Sequence, residues 1–232
     1  MDLKEEEILG EAIDSHWYYT SKAEMMAAHL RGRSYKLLDV GAGSGWFSRW
    51  LLKNDVASRS TCVDIGYPKD SQTEINGKEL CFKKAIDQSD ADMILMMDVL
   101  EHVDDDVALL KSYLDKTPTG TGAFITVPAF QFLWSPHDEY LEHRRRYTIQ
   151  SLTETVVGAG AHVQSIHYFY GGVFPIAMMV RLLNRITGRQ GSDLRPHGKV
   201  VNSILAGICA VECYVMRANK IAGLSVVCLC SR

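Results

Sequence analysis

Three glycines at alternate positions, Gly41, Gly43 and Gly45, follow the apolar run 36–40, and an acid, Asp39, stands two residues ahead of the first. Glycines so spaced let a chain turn sharply out of a strand and bring its backbone amides against a ligand with no Cβ in the way. Helical spacing resumes at Trp46, with Trp46, Phe47, Trp50 and Leu51 on one side. About twenty residues past the glycines the run 60–63 ends in Asp64 and Ile65, where an acidic side chain can accept both hydroxyls of a ribose. Strand, turn, helix, strand, acid is the order of a site for a nucleotide-like cofactor. A dinucleotide turn reads G-x-G-x-x-G and aims its helix at a pyrophosphate. Here the turn is G-x-G-x-G, with Ala42 and Ser44 between the glycines, and Asp39 would repel a pyrophosphate but can orient a cationic amino-acid end.

Two more clusters carry reactive groups. The apolar run 92–97 delivers Asp98, Val99, Leu100, Glu101 and His102 to its C-terminal end, and an imidazole there can deprotonate an acceptor hydroxyl near neutral pH. Segment 127–148 is dense in His, Asp, Arg and aromatic residues. Its Trp134, Asp138, Arg145 and Tyr147 are candidates to wall an acceptor pocket, and His137 and His143 are alternative bases. An internal ion pair holding this loop is an equal reading for Asp138 and the arginines.

The run LLDVGAGSG at 37–45 resembles the first motif of the class I S-adenosylmethionine-dependent methyltransferases, and Asp64 matches their ribose-binding acid. The segment DVLEHV at 98–103 is similar to the part of small-molecule methyltransferases that flanks the cofactor and places a histidine near the transferred methyl. PAFQFLWSPHD at 128–138, then HRRRYT at 143–148, resembles one subfamily with a P-A-x-x-x-L-W-S-x-x-D block, an H-x-R-R-Y-T block and an aromatic motif like His16-Trp17. Lys22 and Glu142 depart from it, where arginine and glycine are usual. The resemblance implies S-adenosylmethionine as cofactor, held by Tyr19, Asp39, Gly41, Ala42, Gly43, Gly45, Asp64, Ile65, Asp98 and Val99. Asp98, Glu101 and His102 also reproduce an acid-x-x-Glu-His string like the divalent-metal site of ubiquinone-biosynthesis O-methyltransferases and small-RNA 2′-O-methyltransferases, which have Glu where Asp98 stands. Metal-free relatives carry the same string, so no metal ligand is assigned.

The elements that must position these groups follow from pattern. Amphipathic helices are expected at 3–14 and 21–30, flanking the aromatic cluster 16–19, so that residues 1–34 form a helical lid or pack on the sheet. Short apolar runs at 79–85, 92–97 and 123–127 read as buried parallel strands, whereas 66–77 reads as mostly loop. Helices at 104–114, opened by the capping acids Asp104 to Asp106, and at 149–159 alternate with strands at 163–170 and 223–232. The β-α alternation predicts an α/β fold with a doubly wound, mainly parallel sheet, and the resemblance implies that this Rossmann-like sheet has seven strands, the last of them antiparallel. An insertion of about fifty residues, 171–222, is far longer than a hairpin needs. It contains helices at 173–187 and 199–220 joined by the linker 188–198, and serves as an acceptor cap or a homodimer element.

With 232 residues and a net charge of -3, the chain makes one domain and lacks the basic footprint of a nucleic-acid binder. Its six cysteines form no C-x-x-C pair and read as reduced thiols of a cytoplasmic protein, and residues 1–10 lack the apolar core of a secretion signal. The apolar run 200–216, broken by Asn202, Ser203 and Glu212, reads as too short to cross a bilayer. The function expected is methyl transfer to a small, partly apolar acceptor at a hydroxyl oxygen. The competing reading is a scaffold or sensor that binds the cofactor without catalysis.

Overall fold

The computed structural model describes residues 9–187 and 198–232. Eight strands form one sheet: Tyr35–Val40 (β1), Ala57–Val63 (β2), Ser71–Ile75 (β3), Lys78–Lys83 (β4), Met93–Met97 (β5), Gly122–Pro128 (β6), His162–Phe169 (β7) and Ser225–Ser231 (β8). Their spatial order is β3-β4-β2-β1-β5-β6-β8-β7. The central strands pair in parallel, with Val40 beside Val63 on one side and Met96 on the other. β8, the closing strand expected from the alternation of 223–232, lies antiparallel between β6 and β7, as the resemblance implied. Because β1 has β2 and β5 as neighbours, the direction of winding reverses at β1, and a crevice opens at the carboxyl ends of these strands.

The eighth strand corrects the expectation of a loop at 66–77. β3 and β4 form an antiparallel hairpin whose turn is Asn76-Gly77, at φ 53° and 74°. Both residues lie in the left-handed region that a tight hairpin turn requires, so the Asn-Gly pair was the overlooked signal. β3 is exposed along almost its whole length, so no hydrophobic alternation marked it.

Helices Trp17–His29 (α1), Trp46–Lys53 (α2) and Lys199–Val215 (α7) cover one face of the sheet, around Leu37, Leu95 and Phe124. Asp106–Asp115 (α3) and Ile149–Gly158 (α5) cover the other, around Leu38, Ile94 and Ile125. Asp105 caps α3 by accepting from the Ala108 amide at 2.8 Å, as the acidic start of that helix predicted. Asp106 instead turns inward and accepts from the Tyr147 hydroxyl at 2.7 Å and the Thr155 hydroxyl at 3.0 Å. The first helix starts at Trp17, earlier than expected, because His16 serves as its N-cap, a residue type that gives no strong start signal. Of the helix expected at 3–14, residues 1–8 lie outside the described residues, and 10–15 form a 3-10 turn.

The insertion holds Phe174–Thr187 (α6) and α7, with a 3-10 turn over Met216–Ala218. The linker expected at 188–198 lies, but for Gly198, outside the described residues. Counted with its 3-10 turn, Lys199–Ala218 is a 20-residue helix holding an 18-residue window of mean hydropathy 1.5, long and apolar enough by length and composition to cross a membrane. Its inner face packs on α1 through Leu205, Ile208 and Cys209. All six cysteines are free.

Candidate active site

The glycine turn sits where the sheet opens. Gly41 has φ 64°, and a Cβ there would meet Val99 Cγ2 at 2.8 Å, so glycine is required to let the β1 turn touch the segment after β5. Gly45, at φ 74°, forms the N-cap of α2, where a Cβ would strike the Phe82 ring at 2.9 Å. Asp64 reaches the turn from the end of β2: its Oδ2 accepts from the Gly43 amide at 3.0 Å and its Oδ1 from the Gly66 amide at 2.8 Å. Ile65 beside it is exposed, and Ala42 is buried. Behind the turn, buried Asp39 accepts from Ser48 of α2 at 2.7 Å, and burial pushes its carboxyl up to about 6. Tyr19 of α1 is buried edge-on against Trp46, with ring centres 5.6 Å apart, backing the start of α2.

At the end of β5 the chain bends abruptly. Asp98 has φ 55°, a costly conformation for a side-chain-bearing residue, held by its amide bonding to Thr126 O at 3.0 Å and by the Thr126 hydroxyl donating to Oδ1 at 3.1 Å. The buried Lys22 ammonium of α1 pairs with the other carboxylate oxygen and donates to the Tyr18 hydroxyl at 2.8 Å. Burial opposes the Asp98 charge, but Lys22, through charge and hydrogen bond, outweighs it and holds the carboxyl below its usual range. Sequence reasoning missed Lys22, Tyr18 and Thr126 as supports of this bend. Only the departure at Lys22 pointed toward them.

Glu101 follows, fully buried, and neither carboxylate oxygen has a hydrogen-bond partner among the described residues. Burial, then the Asp98 charge, raise its carboxyl well above the usual value. The His102 and His143 rings meet edge to face with centres 4.8 Å apart, so the structure unites two candidate bases from separate segments. His143 is aimed by Asp138, whose Oδ1 lies 2.9 Å from Nδ1. Ligand atoms of Glu101, His102 and His143 lie within 4.8 Å of one another, a carboxylate and two imidazoles that suit a divalent cation such as Mn²⁺ or Zn²⁺. Asp98 is tied to Lys22 and Thr126 and stands outside this trio, unlike the acid-x-x-Glu-His string that suggested it.

The arginine run binds the site together. Arg144 donates from its amide to Glu101 O at 2.7 Å and from Nε to His102 O at 3.1 Å, and Arg145 donates to Val103 O at 3.0 Å and Asp104 O at 2.6 Å. Arg146 forks onto Asp138 at 2.7 and 3.0 Å. Asp138 is fully buried at the start of Pro136–Tyr140 (α4), and also accepts from the Ser135 amide at 2.8 Å. Burial opposes its charge, and the His143 and Arg146 hydrogen bonds overcome that, holding it far below the usual carboxylate range. Asp138 and Arg145 are thus engaged within the protein, which is the internal-ion-pair reading. Tyr147, expected to wall the acceptor pocket, is buried with its hydroxyl on Asp106 and on Leu100 O at 3.1 Å. His137 is buried on α4, and Trp134 lies at its N-terminal side, half-buried.

Comparison with known proteins agrees with this geometry. A methyltransferase from Haloferax volcanii, solved in complex with the Trm112 methyltransferase activator, superposes with a TM-score of 0.58 at 15% identity over 99% of this chain and 94% of its own. An S-adenosylmethionine-dependent methyltransferase from Mesorhizobium loti gives 0.55 at 14% identity, covering 95% and 100%. A third, from Archaeoglobus fulgidus, gives 0.51 at 17% identity, covering 99% and 98%. At such identities the likeness establishes the fold. A comparison with curated proteins finds no match to the chain. The family model described as a methyltransferase domain matches residues 18–166, from Tyr18 beside Lys22 through the glycine turn, Asp64, the bend at Asp98 and the arginine run, and the chain belongs to that family.

Proposed function

We propose that the chain binds S-adenosylmethionine across the carboxyl ends of β1, β2 and β5 and transfers its methyl group to a small, partly apolar acceptor, most simply at a hydroxyl oxygen. The observation that supports this most is the close approach of Gly41 to Val99, which sets the glycine turn and Asp64 beside the segment carrying His102. The cofactor supplies an electrophilic methyl on a positively charged sulfur. The chain's part is to align the acceptor, exclude water and hold one proton. Asp64 has lone pairs left for ribose hydroxyls beyond the two amides it accepts. With Nδ1–H of His143 donating to Asp138, its Nε2 is the proton-accepting atom, and His102 beside it is the second base. The unpartnered Glu101 oxygens favour a variant in which a divalent cation on Glu101, His102 and His143 lowers the acceptor hydroxyl's pKa. The blocks at 128–138 and 143–148 support the subfamily reading given above, and the free cysteines suit a cytoplasmic setting.

Calorimetric titration of metal-stripped protein with S-adenosylhomocysteine, then again after Mn²⁺ or Zn²⁺, tests cofactor and metal together. Micromolar affinity without metal is expected, followed by S-adenosylhomocysteine formation with hydroxylated acceptor mixtures. Binding with no turnover on any acceptor favours the scaffold, and no binding in either condition overturns the proposal.

A further inference from the structure

Both helices of the insertion turn large apolar side chains outward. Ile176, Met179 and Leu182 of α6 are 54%, 62% and 57% exposed, and Ile204, Val211 and Val215 of α7 are 57%, 69% and 64% exposed. On α7 these recur at helical spacing beside the face that packs on α1, so part of the helix's apolar arc is buried and part is bare. Surfaces of this kind mark interaction sites.

Charge selects what covers it. Among the described side chains of 171–222, Arg181, Lys199, Arg217 and Lys220 stand against Glu212, a net of +3 in a chain whose total is -3. Glu212 is buried and accepts from the Gly171 and Gly172 amides at 2.7 and 3.2 Å. Lys199, Arg217 and Lys220 near the ends of α7 are exposed. A second copy meeting this face across a two-fold axis would set like charge against like charge, whereas anionic lipid headgroups would neutralise it. Crossing the bilayer would cost the inner-face contacts: the Asn202 side chain accepts from the Trp17 amide and donates to Ser15 O, each at 2.8 Å. It would also strand the Glu212 carboxylate in hydrocarbon.

We propose that α6 and α7 dock this face onto an anionic lipid surface, lying in the plane of the interface with the apolar stripe about 5–10 Å into the headgroup boundary. Docking also places the site beside the lipid. Phe174 of α6 packs on Phe130 with ring centres 5.9 Å apart, and Arg181 donates to Leu133 O at 2.8 Å, next to Trp134. Resting on the methyl-transfer reading, the acceptor is then an amphiphile dissolved in the bilayer, its hydroxyl head reaching the site.

The test is flotation of the full chain with phosphatidylcholine vesicles containing about 30 mol % phosphatidylglycerol, against pure phosphatidylcholine vesicles. Binding to the anionic vesicles about tenfold above the neutral ones is expected, weakened by about 0.5 M NaCl and lost in the triple variant Ile204→Glu, Val211→Glu, Val215→Glu. Unchanged S-adenosylhomocysteine affinity of that variant shows it folded and keeps this test separate from that of methyl transfer. Should the triple variant be misfolded, Lys199→Glu with Lys220→Glu is the substitute, and it too should lose binding. No binding to either vesicle, equal binding to both, or equal binding by the folded variant overturns the proposal. So does a dimer, seen by light scattering, that the variant dissolves, because the face then belongs to a second copy.

Discussion

Asp64 and the two histidines separate binding from chemistry at the scale of single residues. Asp64 accepts from the Gly43 amide of the glycine turn and from the Gly66 amide, so in the proposed complex Asp64→Ala removes charged hydrogen bonds to the ribose and loosens the turn. We expect S-adenosylhomocysteine affinity to fall about 10–100-fold, from interactions of about 1.5–3 kcal/mol each, read by calorimetry. Equal affinity of wild type and variant would sink the site assignment. His102→Ala and His143→Ala leave that affinity unchanged and slow turnover by about 10²–10⁴-fold, the usual contribution of a positioned base. The sequence named both histidines. It did not show that they face each other, because 40 residues separate them and the contact depends on how Arg144 and Arg145 strap one segment to the other.

Elements are held by buried polar pairs. Asp138→Ala would leave the Arg146 guanidinium, itself only 4% exposed, without its counter-charge. A loss of about 3–5 kcal/mol is expected in urea unfolding, with the post-β6 loop released. A loss below about 1 kcal/mol would make the pair dispensable. A second pair joins α1 to β7, where His29 and His167 Nε2 atoms lie 2.9 Å apart and the His167 Nδ1 atom is 2.9 Å from Tyr168 O. With the His167 Nδ1–H donating to Tyr168 O, its Nε2 must be unprotonated to accept from the His29 Nε2–H. Burial lowers His29 from 6.5 to about 3, helped by His167 and Arg217, and burial likewise lowers His167, with Lys220 and Arg217 adding to it. Below the unfolded value the unfolded chain binds protons that the folded one refuses. Stability contributed by this pair is therefore present above about pH 6.5 and lost as pH falls. Melting temperature should drop between pH 7.5 and 5, and the double variant His29→Gln, His167→Gln should flatten that slope. An unchanged slope would remove the pair from the account.

For the whole molecule, ligand binding and folding are linked. The proposed cofactor site is assembled from the ends of three strands and from α1, so S-adenosylhomocysteine at about 100 times its dissociation constant should add about 2.7 kcal/mol of stability. For a chain of this size that raises the melting temperature by roughly 5–10 °C. Asp64→Ala should shrink the rise at the same ligand concentration, and a melt unaffected by ligand would contradict the site.

Sequence by itself determined the doubly wound sheet, the glycine turn and the acid that meets it, because these depend on local requirements: buried runs for strands, positive φ at Gly41 and Gly45, and an acid one strand further on. It also carried the hairpin β3–β4 in Asn76-Gly77, a signal outweighed by the polarity of an exposed edge. Tertiary structure alone decided that Lys22 braces Asp98, that Asp138 serves His143 and Arg146, that Tyr147 is a core residue, and that Glu101 is buried without a partner. Each of those depends on which distant segments share a dry volume, and burial fixes whether a charge is paired, neutral or open to a ligand. The outward stripe of α7 was equally undetermined, since helical spacing shows that apolar residues share a face and only packing shows which face remains bare.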